Sequence, residues 1–278
     1  MSKREGRSYL FSIDLEDVRR MIPDGERYPE AVPAMTGRYL DWLAGEDMQC
    51  TFFTVGDQLR AYPALIERLL SEGHELACHT DTHETLEKLG PDGFRRDLEA
   101  WCRTVEEAGW PAARGFRAPT FSLTEKTAWA FGILAENGFT YSSSVLAAPH
   151  PLYGWPQFGE TPRRVDGLWE IPMNLGRVGP WRVPLGGGVY FRVLPSLFVQ
   201  YWFAAQGRRG QAVRGYFHPY DIDVDQPRFA HPGLPPKGLW QRLMFMGRGK
   251  IFPRLDHLRR KGWEIERYDH WLSTLARD

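Results

Sequence analysis

The segment His79-Thr80-Asp81-Thr82-His83 follows directly on the apolar run HELAC and places two imidazoles, a carboxylate and two hydroxyls in five positions. It is a polar turn, a metal site or a proton-transfer site, and residues elsewhere in the chain must decide between these. Imidazoles four positions apart present their nitrogens to one side if a helical turn starts there. With one carboxylate they form a two-histidine set that leaves coordination positions open for water and substrate. A histidine pair alone is weak evidence, and a hard carboxylate is the missing ligand. FSIDLEDV supplies three acids, Asp14, Glu16 and Asp17, at the end of another apolar run. An acidic cluster there can equally be a solvated helix cap, yet Asp14 follows the apolar residues so closely that it should sit near the core. A partly buried acid needs a partner, and Arg117 in GFRAP is the candidate. An Asp–Arg pair suits a general base acting on an activated water. His218, in YFHPYDID, is a further proton carrier. A lone histidine at a strand end is ordinarily a satisfied core residue. Beside an open metal site its reference pKa suits it to protonate a leaving amine, with Asp221 or Asp223 to orient it.

These groups are far apart in sequence and need a scaffold to meet. SYLFSID, CTFFTVG, HELACH, ARGFRAP, FTYSSSV and AVRGYFHP read as strands. Between them, VPAMTGRYLDWLAGE, PALIERLLSEG, PDGFRRDLEAWCRTVEEAG, TEKTAWAFGILAENG and LPSLFVQYWFAAQ read as helices, and FPRLDHLRRKG is a terminal helix before WEIERY. Alternating strands and helices predict parallel pairing with right-handed crossovers. The C-terminal ends of such strands share one face, so the acids of the first strand, His79, His83, Arg117, Pro119, His218 and Asp221 can converge. From Ala147 to Gly188 the chain is rich in Pro, Gly and aromatics, which predicts ordered loops and short strands over a surface. The expected architecture is α/β, a single domain built as a barrel.

Lys and Arg total 35, as do Asp and Glu, so no overall charge favours nucleic acid. Three cysteines without a CxxC spacing argue against a disulfide framework and fit buried thiols in a reducing compartment. The opening has no apolar run long enough for a signal peptide before Asp14, and no stretch reaches ~18 apolar residues. The nearest candidate, VYFRVLPSLFVQYWFAA, is broken by Arg192 and Pro195 and reads as a core helix. Together with LWQRLMFMGRGKIF it permits peripheral membrane contact. Aromatics, at 14%, suit a sugar cleft and an ordinary core alike. The glycines of GGGVYFR could cradle phosphate, but no GK[ST] follows, and a tightly turned wall beside a cleft is the better reading.

Taken in order, these motifs resemble the polysaccharide deacetylases, carbohydrate esterase family 4. HTDTH is similar to that family's metal-binding HxxxH, CTFFTVG to its second-strand signature, GFRAPTFS to its arginine–proline motif and YFHPYDID to its late histidine motif. By motif placement the resemblance covers about residues 9 to 225. A closer resemblance is to the branch associated with exopolysaccharide gene clusters, which begins D-x-E-D as FSIDLEDV does. YSSSV, PLYGWP, LWEIPMN, LGGGVYFRVLP and DQPRF also resemble that branch.

The resemblance implies a distorted (β/α) barrel of about seven strands, with residues 226–278 as an extension packed on it. It also implies metal-dependent hydrolysis of an N-acetyl group on an amino sugar of a polysaccharide or its precursor. By position, Asp14 is the base, Arg117 its tether and His218 the acid. His79 and His83 are metal ligands with Asp17 as the first choice for the third and Glu16 as the alternative. The backbone N–H of Thr120 is the expected oxyanion donor, and Pro119, Phe121 and Tyr190 are expected at the substrate. Zinc is the expected ion, with cobalt, nickel and iron compatible. The family's aspartate near the YSSS position is Ser142 here, which leaves the tuning of the base open. Two rivals remain: hydrolysis of another C–N bond, as in a formamido sugar or cyclic imide, and a non-catalytic glycan-binding module with Trp155, Trp181 and Tyr190 as its platform. The expected compartment is the cytoplasm, with a nucleotide-linked or lipid-linked precursor as substrate.

Overall fold

The computed structural model describes residues 7–149, 153–231, 234–235 and 237–275. Pro151 and Leu152 of the PLYGWP motif lie outside the described residues, as does the charged opening 1–6.

The first apolar run is one extended segment interrupted at Phe11, giving β1 (Arg7–Leu10) and β2 (Ser12–Leu15). Helix α1 (Val32–Gly45) crosses to β3 (Thr51–Thr54), and α2 (Gly56–Ala61) and α3 (Pro63–Ser71) cross to β4 (Glu75–Cys78). Long helix α4 (Leu86–Glu107) leads to β5 (Gly115–Phe116), and α5 (Ala130–Glu136) to β6 (Tyr141–Ser142). Then come β7 (Arg163–Val165), β8 (Leu168–Glu170) and the hairpin of β9 (Gly176–Val178) and β10 (Trp181–Val183). The remainder is α6 (Gly188–Val193), α7 (Ser196–Arg208), β11 (Val213–Arg214), α8 (Leu239–Leu243), α9 (Ile251–Arg260), β12 (Trp263–Glu266) and α10 (Tyr268–Leu275).

A seven-stranded sheet runs β2-β3-β4-β5-β6-β8-β7, parallel throughout except for the edge pair β7–β8. Its parallel strands β2, β3 and β4 are buried along their whole length, as strands covered on both faces must be. The first segment curls the sheet into a barrel, because β1 pairs with both β11 and β12 while β2 pairs with β3. Between β8 and β11 a side chain helps close the wall: Asn174 Oδ1 accepts the backbone N–H of Arg214 at 2.7 Å. Helix α4 covers the sheet with Phe94, Leu98, Trp101 and Val105, a stripe at helical spacing.

The structure departs from the sequence reading in several elements. The helix expected across TEKTAWAFGILAENG is regular only from Ala130. Before it, the Thr127 hydroxyl donates to Ser122 O at 2.9 Å and accepts from Thr124 N at 2.8 Å, which favours a tight turn over helix. Helix α4 starts five residues ahead of Pro91, with a kink at Gly90 where φ is +64°. The aromatic segment 189–205 is two helices broken at Leu194–Pro195. Among the described residues, no helix is long and apolar enough to cross a membrane.

Candidate active site

Alternation along β2 puts Ser12 and Asp14 on the barrel side while Ile13 and Leu15 enter the apolar core. Both inward groups meet Arg117, whose Nη1 donates to Asp14 Oδ1 at 2.6 Å and to Ser12 Oγ at 2.7 Å. Arg117 is fully buried and its remaining donors are engaged: Nε with Ser143 O at 3.0 Å, Nη2 with Ser143 Oγ at 3.2 Å and with Tyr268 Oη at 3.1 Å. The Phe53 ring lies 4.0 Å from its Cζ. A buried guanidinium so completely paired fixes the Asp14 carboxylate in one orientation.

The same alternation, carried one residue beyond the strand, brings Glu16 to the histidines. Glu16 Oε2 lies 2.5 Å from His83 Nε2 and 3.8 Å from His79 Nε2. One ligand atom from each of Glu16, His79 and His83 falls within 4.8 Å of the others. Asp17, the first choice for this position, turns away: it caps the following turn by accepting Arg19 N at 3.0 Å and pairs with Arg19 Nη2 at 2.6 Å. The correction follows from strand period two, a signal present in the sequence.

The HTDTH segment reaches this geometry without a helical turn, contrary to the sequence reading. His79 N–H still bonds Thr54 O, in continuation of the ladder. Thr80 and His83 then adopt left-handed backbone, with φ of +64° and +58°. The Thr80 hydroxyl accepts His83 N at 3.0 Å, and Asp97 on α4 accepts Asp81 N at 2.7 Å and Thr82 N at 3.1 Å. Asp81 points outward to Arg60, at 2.6 Å. The loop crosses close over Gly56, where a Cβ would lie 2.9 Å from the Asp81 Cα, so the glycine of CTFFTVG is a steric requirement. His79 Nδ1 lies 2.8 Å from Arg117 O; donating there would leave Nε2 with its lone pair directed at Glu16.

On the other side stands His218, its Nε2 3.7 Å from Glu16 Oε1 and its Nδ1 3.2 Å from Asp221 Oδ2. Of the two acids considered for orienting it, Asp221 makes the contact, while Asp223 accepts Asp225 N. Asp221 is also held by Arg192 Nε at 3.2 Å. Burial alone would lower the His218 pKa, but the Glu16 charge and the Asp221 hydrogen bond raise it to about 9. Burial likewise works against the charge on His83, and Glu16 outweighs it, raising His83. Glu16, pushed up by burial, is brought well below the usual carboxylate range by His83 and His218. Two imidazoles and a carboxylate, with one imidazole hydrogen-bonded through its second nitrogen, are a donor set that fits a zinc-type divalent ion.

Thr120 is exposed on the turn after Pro119, with φ of +53° there and +56° at Phe121, a pair of left-handed non-glycine residues at the site. Pro119 and Phe121 are buried; Phe121 packs edge-on against Tyr216, 5.2 Å between centroids. Tyr190 is half-buried on α6. The GGG stretch lies against the strand before His218: a Cβ at Gly187 would fall 2.1 Å from Tyr216 O, so packing explains it. Beside Ser142 the neighbouring strand supplies a buried carboxylate, Glu170, which accepts Ser144 N and Val145 N at 2.9 Å each. Ser144 Oγ in turn accepts Ala118 N at 2.8 Å and so ties Glu170 to the Arg117 loop. Sequence reasoning missed Glu170, Asp97, Arg192 and Tyr268. Each acts through another residue; Glu170 and Arg192 lie within the quoted segments LWEIPMN and LGGGVYFRVLP, but nothing there pointed to a role for these side chains, and Asp97 and Tyr268 lie in no quoted motif.

The model of the polysaccharide deacetylase family matches residues 23–141, and that of DUF3473, a domain of unknown function, matches 143–264. The chain is similar to a chitooligosaccharide deacetylase of Sinorhizobium fredii, 37% identical over 119 residues, or 42% of this chain and 51% of that protein. It is also similar to a peptidoglycan-N-acetylglucosamine deacetylase of Bacillus cereus, 32% identical over 63 residues, 23% of each. The chain thus spans about half or less of the curated relatives it matches. Among solved structures, one from Mycobacterium smegmatis, assigned as a polysaccharide deacetylase, has a TM-score of 0.62 at 18% identity over 100% of this chain and 92% of that one. Puue allantoinase has a TM-score of 0.63 at 13% identity, over 98% and 93%. A carbohydrate esterase family 4 pseudoenzyme from Bacillus anthracis has a TM-score of 0.52 at 12% identity, over 95% and 65%. These likenesses show the fold, a (β/α) barrel type. The two domain models lie end to end, so the chain carries a polysaccharide deacetylase domain joined to DUF3473, the arrangement of the exopolysaccharide-cluster branch.

Proposed function

We propose that the chain is a metal-dependent N-deacetylase of an amino sugar within a glycan or its precursor. The observation that carries this reading is the convergence of Glu16, His79 and His83 between the Asp14–Arg117 pair and His218. The names of the curated relatives, which act on chitooligosaccharide and peptidoglycan N-acetylglucosamine, support the substrate class. In this reading Glu16, His79 and His83 hold a divalent ion, zinc by preference and cobalt, nickel or iron by compatibility. When bound, the ion supplies Lewis acidity toward the acetamide carbonyl and the attacking water. Asp14, held by Arg117, takes the water proton as the carbonyl is attacked. The backbone N–H of Thr120 stabilises the developing oxyanion. His218 begins protonated, since Glu16 and Asp221 favour its charged form, and gives its proton to the departing nitrogen. The products are acetate and a free amine.

The test is acetate release from N-acetylglucosamine oligomers, before and after chelation and with divalent ions restored. Loss on chelation and recovery with zinc or cobalt is the expected result. The panel includes a formamido sugar and a cyclic imide, which the same groups could hydrolyse. Stoichiometric metal with no hydrolysis of any member would replace this reading with that of a glycan-binding module.

A further inference from the structure

Positive charge and exposed apolar surface are segregated together in this chain. Overall its basic and acidic residues balance, yet residues 189–210 and 237–255 contain eight Lys and Arg and no Asp or Glu. The same two segments carry most of the large hydrophobic side chains exposed among the described residues. These are Leu197 (80%), Phe198 (36%) and Tyr201 (69%) on α7, with Leu239 (64%), Trp240 (48%) and Met246 (50%) on and after α8. The segments are fastened to one another in space. Arg192 donates to Leu243 O at 3.1 Å, to Met244 O at 2.8 Å and to Met246 O, while Arg254 donates to Leu194 O at 2.9 Å and to Phe191 O. Arg192 and Arg248 are buried by such contacts, which leaves Arg208, Arg209, Lys237, Arg242 and Lys250 exposed in the same segments as the apolar residues, Arg208 with its Cζ 5.9 Å from the Tyr201 ring.

We propose that this face docks on a lipid bilayer with anionic headgroups. Inserted aliphatic and aromatic side chains, ringed by cations that extend to the headgroups, are what such a surface takes. An acidic glycan would match the charge and stack on Trp240 and Tyr201, but it has no use for Leu197, Leu239 and Met246. The face also connects to the site: the Arg192 guanidinium that clamps residues 243–246 holds Asp221, and Asp221 holds His218. If the deacetylase reading is right, on which this consequence rests, docking brings the site to a glycan held at a membrane surface.

Sedimentation of the full chain with vesicles tests the proposal. Vesicles containing phosphatidylglycerol should retain the protein, less so as salt rises, and pure phosphatidylcholine should retain little. Leu239→Ser combined with Trp240→Ser should lower partitioning by about tenfold or more. Arg242→Gln and Lys250→Gln should each lower it roughly fivefold. Acetate release from a soluble oligomer should be unchanged in all of these variants. Failure to bind anionic vesicles, or binding that the variants leave intact, would overturn the proposal, as would retention on alginate without retention on vesicles. Normal deacetylation without vesicle binding removes only the docking face; vesicle binding without deacetylation removes only the enzymatic reading.

Discussion

Among single residues, the proposed reaction gives Asp14 and His218 one proton transfer each, and their neighbours set what each can do. Asp14→Asn leaves Glu16, His79 and His83 in place, so the variant should keep its metal and lose about 10²–10⁴ in kcat; metal analysis beside an acetate-release assay checks both. His218 must carry a proton to act as the acid. Its pKa, lowered by burial, is raised to about 9 partly through Asp221, so Asp221→Asn should move the alkaline limb of the kcat/KM profile to lower pH. An ion neutralising Glu16 shifts the limb in the same direction, so wild type and variant are compared at equal metal loading. Glu16 and His83 share a close charged contact. Metal uptake must displace that proton, and apparent affinity should therefore fall as pH falls, a trend calorimetry in buffers of differing ionisation enthalpy can follow.

Elements position these residues, and they differ in how much of their arrangement was legible. The alternation of strands and helices through α4 was readable because β2, β3 and β4 lie in short stretches rich in apolar residues and α3 and α4 keep helical periodicity. Convergence of Asp14, His79, His83, Arg117 and His218 followed from it, since each closes a strand. The choice between Glu16 and Asp17 was also available from period two along β2, although motif comparison left it open. The HTDTH turn was not legible. Its shape depends on Asp97, sixteen residues beyond Asp81, and on close approach to Gly56. Helix α10 carried no signal either, yet its Tyr268 hydroxyl accepts from Arg117 and its backbone N–H donates to Thr51 Oγ1. Tyr268→Phe keeps the ring and removes one acceptor from the Arg117 guanidinium. We expect a lower kcat with little change in KM and an altered acidic limb of the pH profile; an unchanged profile would make Tyr268 a packing residue only.

Across the whole molecule the barrel separates a reactive end from a floor that bears its own buried acid. Glu75 accepts from Thr51 Oγ1 at 2.6 Å and Tyr141 Oη at 2.8 Å, and burial followed by the Asp269 charge raises its pKa from 4.5 to about 8. The folded state therefore keeps a proton that the unfolded chain releases above about pH 4.5. This contribution to stability is greatest below that pH, declines as pH rises toward about 8 and is level beyond it. Glu75→Gln should flatten that decline, seen as a smaller difference in Tm between pH 5 and pH 8 than in the wild type. The floor and the site meet at Tyr268 and Arg117, so the guanidinium that holds Asp14, the proposed base, is also hydrogen-bonded to the floor. In the proposed reading, what the fold must achieve above all is to seat one cation between Glu16 and two imidazoles. Metal content of purified Glu16→Gln beside Asp17→Asn tests this most directly. Glu16→Gln should lose the ion and acetate release together, while Asp17→Asn keeps both; an Asp17→Asn protein stripped of metal, with Glu16→Gln fully loaded, would contradict it.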